Sequence, residues 1–283
     1  MSGSSPSSDG RLPGRAYANR AGRRGPDSDD YFARQVRLPE IGAEGQRRLA
    51  DSRVLLIGAG GTGCPAAIYL ASAGVGTLTI VDGDRVALAN LHRQTAYTVQ
   101  DVGQPKASTL AARLVNRAPA AEFIALDRHL EPDDTALIAE NDLVVECTDT
   151  FSSQFLVHDL CYAGSRDLVT GSIRRFAVTL ALYEFSIHRT GCMRCVWPEA
   201  PPDGVTGSSA EDGILGATAG ILGTWMAQEA ILHLAAADRD QSIHARQLLL
   251  DTRAWSLTSI APRVNADCPL CGAAAVSLRT TER

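Results

Sequence analysis

The sequence predicts an α/β chain folded around a doubly wound, mostly parallel sheet, with a C-terminal antiparallel extension and a four-cysteine zinc site. Three observations predict it. Strand-like and helix-like stretches alternate over residues 54–170, the pattern of βα units that pack into a parallel sheet. Gly58, Gly60 and Gly63 stand in the spacing G-x-G-x-x-G between an apolar run and a helix-like run, the context of a Rossmann-like dinucleotide turn. After Gly171 the strand-like stretches lengthen, and two C-x-x-C pairs appear among them.

Taken in order, residues 1–28 are rich in Ser, Gly, Pro and Arg, lack an apolar period, and are expected to form a disordered tail. Residues 29–283 are expected to form one domain, with a nucleotide-binding half at about 50–170 and a zinc-containing antiparallel half at about 171–272. Residues 41–51 read as a helix and the apolar residues 54–57 as a buried strand. At the turn, Gly58 permits the tight bend, Gly60 lets a phosphate approach the backbone, and Gly63 lets helix and strand pack closely. The following helix, residues 65–73, offers its N-terminal N–H groups to an anion. Residues 76–82 read as a strand ending in Asp82, where a ribose-binding carboxylate is expected.

Residues 90–94 are polar and aperiodic. A helix is predicted over 106–117, announced by Gly103 and Pro105. Strands are predicted over 122–126, 143–147 and 168–170, with helices over 132–140 and 151–163. Ligands of such sheets bind outside the carboxyl ends of the strands, so the glycine turn, Asp82 and Asp149 are expected to line one site. Beyond it, residues 176–187 and 247–260 read as two long antiparallel strands. A Pro/Gly/Ser loop (197–213) and an apolar run (214–227) lie between them. Gln228 and Glu229 stop that run, which is too short for a bilayer and reads as a buried helix.

Composition narrows the function. A formal net charge of −5 argues against a general nucleic-acid binder, and 45% hydrophobic residues are ample for a core. The first thirty residues hold no apolar signal region. A cytoplasmic protein is expected, whose seven cysteines serve as thiols or metal ligands. Cys192/Cys195 and Cys268/Cys271 form two knuckles that suit a closed tetrahedral zinc site, structural because it has no open position. A redox C-x-x-C is the alternative, and it leaves the second pair unexplained. Cys64, Cys147 and Cys161 read as core, although Cys64 in a first helical turn is placed for a lowered thiol pKa. Lys106 is the single lysine among 27 lysines and arginines. Either it survives by chance, or position 106 needs a compact ammonium that a guanidinium replaces poorly.

Together these motifs resemble one family, the MoeB/ThiF/HesA adenylyltransferases, relatives of the ubiquitin-activating enzymes. Arg34-Gln35, Gly58, Gly60, Gly61 and Gly63 carry the resemblance, with the run 69–76, Asp82, Asp84, Asn90, Arg93 and Gln94. The run 102–106 ending in Lys106, Cys147-Thr148-Asp149 and the paired knuckles complete it, over residues 31–272. The resemblance implies an ATP-dependent enzyme of the MoeB type, without a rhodanese domain. It would activate the C-terminal carboxylate of a ubiquitin-like sulfur carrier (MoaD/ThiS-like, ending in Gly-Gly) as an acyl-adenylate, releasing pyrophosphate. By the same resemblance Asp82 binds the ribose, and Asn90, Arg93 and Lys106 hold the phosphates. Asp84 and Gln94 belong to the nucleotide site, Asp149 holds Mg²⁺, and the zinc is structural. Arg34 reaches the triphosphate of the neighbouring subunit in a homodimer, and a separate protein donates sulfur.

The chemistry agrees. Both reactants are anionic, so catalysis is positioning plus charge neutralisation by Lys106, Arg93, Arg34 and a magnesium ion. Asp149 suits Mg²⁺, which takes one or two carboxylates plus phosphate oxygens. Some residues depart from the family. The loop at 207–213 has no cysteine, and its Ser209 is a poor substitute without a base, so the reaction is expected to stop at the acyl-adenylate. Thr150 stands where the family often has Asn, and the stretch 174–179 departs in a way that bears on partner recognition. His92, His129, His158 and His188 form no ligand pattern and read as surface or core. Three alternatives stand beside the main reading. The acceptor could be a peptide or small-molecule carboxylate. An NAD(P)-dependent oxidoreductase would share the turn, but no Tyr-x-x-x-Lys pair exists. A non-catalytic interaction protein would not need the intact set Arg34, Arg93, Lys106 and Asp149.

Overall fold

Val54 and Leu56 pack into one buried cluster and Leu55 and Ile57 into another, so their strand is covered on both faces and reads as an unbroken apolar run. This strand, β2 (Arg53–Ile57), lies at the middle of the sheet. The computed structural model describes residues 14–17, 28–118, 120–186, 191–205, 212–237 and 247–272. The elements preceding β2 are β1 (Arg15–Tyr17), α1 (Ser28–Tyr31), α2 (Ala33–Val36) and α3 (Gly42–Asp51). After it come α4 (Gly63–Ala73), β3 (Thr77–Val81), α5 (Lys106–Leu114), β4 (Glu122–Leu126), α6 (Thr135–Ala139), β5 (Leu143–Glu146) and α7 (Phe151–Gly164). The second half holds β6 (Asp167–Arg174), β7 (Ala177–Tyr183), α8 (Met193–Val196), α9 (Gly216–Ala235), β8 (Gln247–Asp251) and β9 (Ser256–Ile260).

The described strands form one sheet in the order β1-β4-β3-β2-β5-β6-β7-β8-β9. β4, β3, β2, β5 and β6 run parallel; β7, β8 and β9 continue antiparallel, as the sequence predicts. Strand order reverses between β3 and β5 on either side of β2, the switch point where such sheets open a crevice. α4, α5 and α9 supply residues to one buried cluster, and α6 and α7 to the other.

Four expectations need correction. The stretch expected to be a structureless tail contributes β1, an edge strand antiparallel to β4 with Ala16 opposite Ile124. Pairing with an existing edge orders three residues whose composition alone does not. The short strand at 168–170 is the eight-residue β6, extended by its pairing with β7. The single strand at 247–260 is a hairpin, because the Asp251 carboxylate accepts the N–H groups of Arg253 and Ala254 and turns the chain. The apolar helix runs on through Gln228 and Glu229 to Ala235, with Glu229 buried. Among the described residues no helix is long and apolar enough to cross a membrane. Ser209 and His188 lie outside the described residues.

Candidate active site

The carboxyl ends of β2, β3 and β5 open onto a cavity of about 690 Å³. β2 delivers the glycine turn. Gly58 has φ +95°, and a Cβ on Gly63 would lie 1.9 Å from the Gly58 carbonyl oxygen, so only glycine fits either place. A Cβ on Gly60 would meet nothing closer than Gln94 Nε2 at 3.8 Å, which leaves that backbone open to a ligand. Gly61 faces the stem of Arg93, with Arg93 Cγ 3.2 Å from where its Cβ would be.

Asp82 follows β3 and is tied into the turn. Its carboxylate accepts the N–H of Ala59 at 2.7 Å and of Asp84 at 2.8 Å. Burial raises its pKa above the usual carboxylate value, opposed by Lys106 and the two amides. Lys106 opens α5 and is buried; its Nζ donates to Asp84 Oδ2 at 2.8 Å. The Tyr97 hydroxyl shares its hydrogen between the carbonyls of Ala59 and Lys106, bracing turn and helix together. Gln94 is buried, and among the described residues its Oε1 has no hydrogen-bond partner. Arg93 is half-buried, with Nη1 3.1 Å from His92 Nε2.

The other wall comes from β5 and α7. Asp149 is exposed, lines the cavity and has no ion pair among the described residues. Thr150 caps α7 by accepting the Ser153 N–H at 3.3 Å, and Asp203 accepts from the N–H and hydroxyl of Ser152 at 3.1 and 2.6 Å. The cavity continues to the β6–β7 turn, where Arg174 Nε lies 3.3 Å from Asp212 Oδ2 and Arg175 adopts φ +57°.

The structure therefore brings Gly58, Gly60, Gly61, Asp82, Asp84, Asn90, Arg93, Gln94, Lys106 and Asp149 to one cavity. Gly63 sits behind them as packing. Arg34 is not among them. It is exposed on α2, whose Gln35 amide donates to the carbonyl of Ala73 at 2.9 Å. Ala73 ends α4, about 15 Å along the helix from the glycine turn, so Arg34 lies away from its own chain's cavity. The Cys64 thiol is buried and pushed up to about 12 by that burial, so it is packing.

Four residues were not among the sequence candidates. His129 lines the cavity with Nε2 4.0 Å from Asp84 Oδ1. Arg174 and Arg175 line its far end, in the stretch that departs from the family. Glu146, the last residue of β5, is fully buried beneath Thr148. Burial pushes its carboxyl up to about 7, against the hydrogen bonds of Thr148 and Thr170. An acid closing an apolar strand was the available signal.

The knuckles meet away from the cavity. The sulfurs of Cys192, Cys195, Cys268 and Cys271 lie within 4.8 Å of one another, and Cys192 to each of the others and Cys195 to Cys271 are 3.3 to 3.8 Å apart. A tetrahedral zinc with bonds of about 2.3 Å spaces its sulfurs by about 3.8 Å, so the set fits the ion. Backbone N–H groups of Asn265 and Cys271 donate to Cys195 and Cys268 at 3.4 and 3.5 Å, the support a thiolate shell uses.

A ThiF family model matches residues 32–271. The chain is 37% identical over 247 residues to a sulfur carrier protein adenylyltransferase of Thermus thermophilus, covering 86% of this chain and 90% of that one. It is 36% identical to a SAMP-activating enzyme E1 of Haloferax volcanii, covering 86% and 88%. Among solved structures, E. coli MccB aligns with a TM-score of 0.73 at 18% identity, over 88% of this chain and 74% of that one, a likeness of fold.

Proposed function

The chain belongs to the ThiF family and is an adenylyltransferase that uses ATP, and on that premise we propose that it activates the C-terminal carboxylate of a ubiquitin-like sulfur carrier. The observation that carries the assignment of the site is the gathering of Lys106, Arg93, Asn90 and Asp149 around one glycine turn. Gly60 leaves backbone open for phosphate, and the unpaired Gln94 Oε1 offers a buried acceptor to the nucleotide. Asp82, held by two amides, is the carboxylate this reading assigns to the ribose.

In this reading the terminal carboxylate attacks the α-phosphorus. A P–O bond forms to the acyl oxygen, the bond to the β-phosphate oxygen breaks, and pyrophosphate leaves with its electrons. Lys106 and Arg93 oppose the charge that gathers on the phosphates. Asp149 supplies a free carboxylate, the donor type Mg²⁺ accepts, and the ion would add positive charge beside the phosphates when bound. Arg34, exposed and away from its own chain's cavity, is read as acting across the interface of a homodimer. The four thiolates hold zinc in a structural role. No catalytic cysteine is required, so sulfur comes from a separate donor after release of the acyl-adenylate.

Pyrophosphate exchange into ATP tests the proposal. Exchange that needs Mg²⁺ and a carrier ending in Gly-Gly supports it. Exchange with a short peptide or small acid, and none with carriers, would move the acceptor to that class.

A further inference from the structure

Glu146 is fully buried at the end of β5, and no step above uses it. A buried carboxylate is expensive unless donors satisfy it. Here three donors converge: the Thr148 N–H at 2.6 Å, the Thr148 hydroxyl, and the Thr170 hydroxyl of β6 at 2.6 Å. Thr148 is thus fastened, by backbone and side chain, to the strand it has just left. Its neighbours inherit the constraint. Asp149 follows it directly and lines the cavity, and Thr150 then caps α7. The same turn abuts the glycine turn, since a Cβ on Gly58 would lie 2.7 Å from Cys147 O and 3.2 Å from Thr148 N. Glu146 sits below the junction of both cavity walls.

We propose that Glu146 is a positioning residue, which by tying Thr148 to β5 and β6 fixes where Asp149 presents its carboxylate to a Mg²⁺ ion entering with ATP. The inference rests on the reading of Asp149 as the magnesium residue. It follows from the narrow geometric tolerance of that ion, which needs its protein ligand held rather than merely present.

Calorimetric titration of ATP into the full chain over a Mg²⁺ series tests it without turnover. In Glu146→Gln the side-chain volume stays, but the carboxylate that accepts the Thr148 N–H and hydroxyl becomes a neutral amide, a weaker acceptor. The half-saturating Mg²⁺ concentration should rise about tenfold, the worth of a hydrogen bond to a charged group, while ATP binding without Mg²⁺ is unchanged. Thr148→Val leaves the carboxylate in place, removes only the hydroxyl donor, and should move the same quantity in the same direction. It decides the matter if Glu146→Gln fails to fold. An unchanged Mg²⁺ dependence in folded variants overturns the role of Glu146. A wild-type chain whose ATP binding ignores Mg²⁺, or a folded Asp149→Asn that keeps the wild-type Mg²⁺ dependence, overturns the reading of Asp149 and this inference with it.

Discussion

Lys106 Nζ donates to Asp84 Oδ2 at 2.8 Å, with 6% of the lysine side chain exposed against 58% of the aspartate. The lysine is the fixed partner and the aspartate the one facing solvent. A phosphate entering the cavity competes with Asp84 for an ammonium that is already in place. Lys106→Ala should cut pyrophosphate exchange by about 10²–10³-fold, the loss of one preorganised donor, with the melting temperature showing an intact fold. Lys106→Arg should lose most of the activity as well, because a planar fork does not replace a point charge in a buried niche. Retention of near-wild-type exchange by either variant removes Lys106 from the chemistry.

Arg34 gives a test of the assembly. Arg34→Ala and Lys106→Ala should each be inactive alone. In a mixed dimer, the Lys106→Ala chain lends its Arg34 to the intact cavity of the other. Re-equilibrated equal mixtures should recover about a quarter of wild-type exchange, since half the dimers are mixed and each has one complete site. No recovery, with dimers confirmed by light scattering, rules out action across the interface.

Metal removal separates the two halves. Cys192 follows β7 and Cys268 follows β9, so a zinc ion held by the four cysteines would join segments 76 residues apart in the chain. Chelation, or Cys268→Ser, should lower the melting temperature and expose amides of β7–β9 to hydrogen exchange before those of β2 and β3. Uniform protection after zinc loss would make the ion dispensable.

Glu146 carries a pH signature of its own. Burial raises its carboxyl from 4.5 to about 7, so the folded chain binds this proton more tightly than the unfolded one. The resulting stability is fully present below about pH 4.5 and is lost as pH rises through about 7. The shift corresponds to about 3 kcal/mol. Glu146→Gln, neutral throughout, should therefore gain on the wild type in denaturant midpoint from pH 4.5 to 8. A constant difference across that range would show that Glu146 does not titrate there.

The nucleotide half was legible because its constraints are local. Gly63 must be glycine because a Cβ there would lie 1.9 Å from the Gly58 carbonyl oxygen, and that need is printed in the spacing. Residues 54–57 of β2 are all apolar because both faces of the strand are covered there. The antiparallel half was harder. The β8–β9 turn uses an Asp251 side chain and Trp255 at φ +54° where a sequence reader looks for glycine or proline. β1 exists through its pairing with β4, which no three residues can announce. In the site, charged residues within motifs were found, whereas His129 and Arg175 belong to the cavity through loop placement alone. Only the family resemblance points to Arg34, and its distance from the cavity of its own chain follows from α2 docking on the far end of α4.

The buried position of Lys106 has a consequence for the product. An acyl-adenylate is an acylating agent, and the ε-amines of lysines are its natural bystanders. This chain has one such amine, buried and hydrogen-bonded to Asp84, while its other long cationic side chains are guanidiniums, which resist acylation. Among the side chains of this sequence, an escaping activated carboxylate therefore meets no exposed lysine amine to capture it.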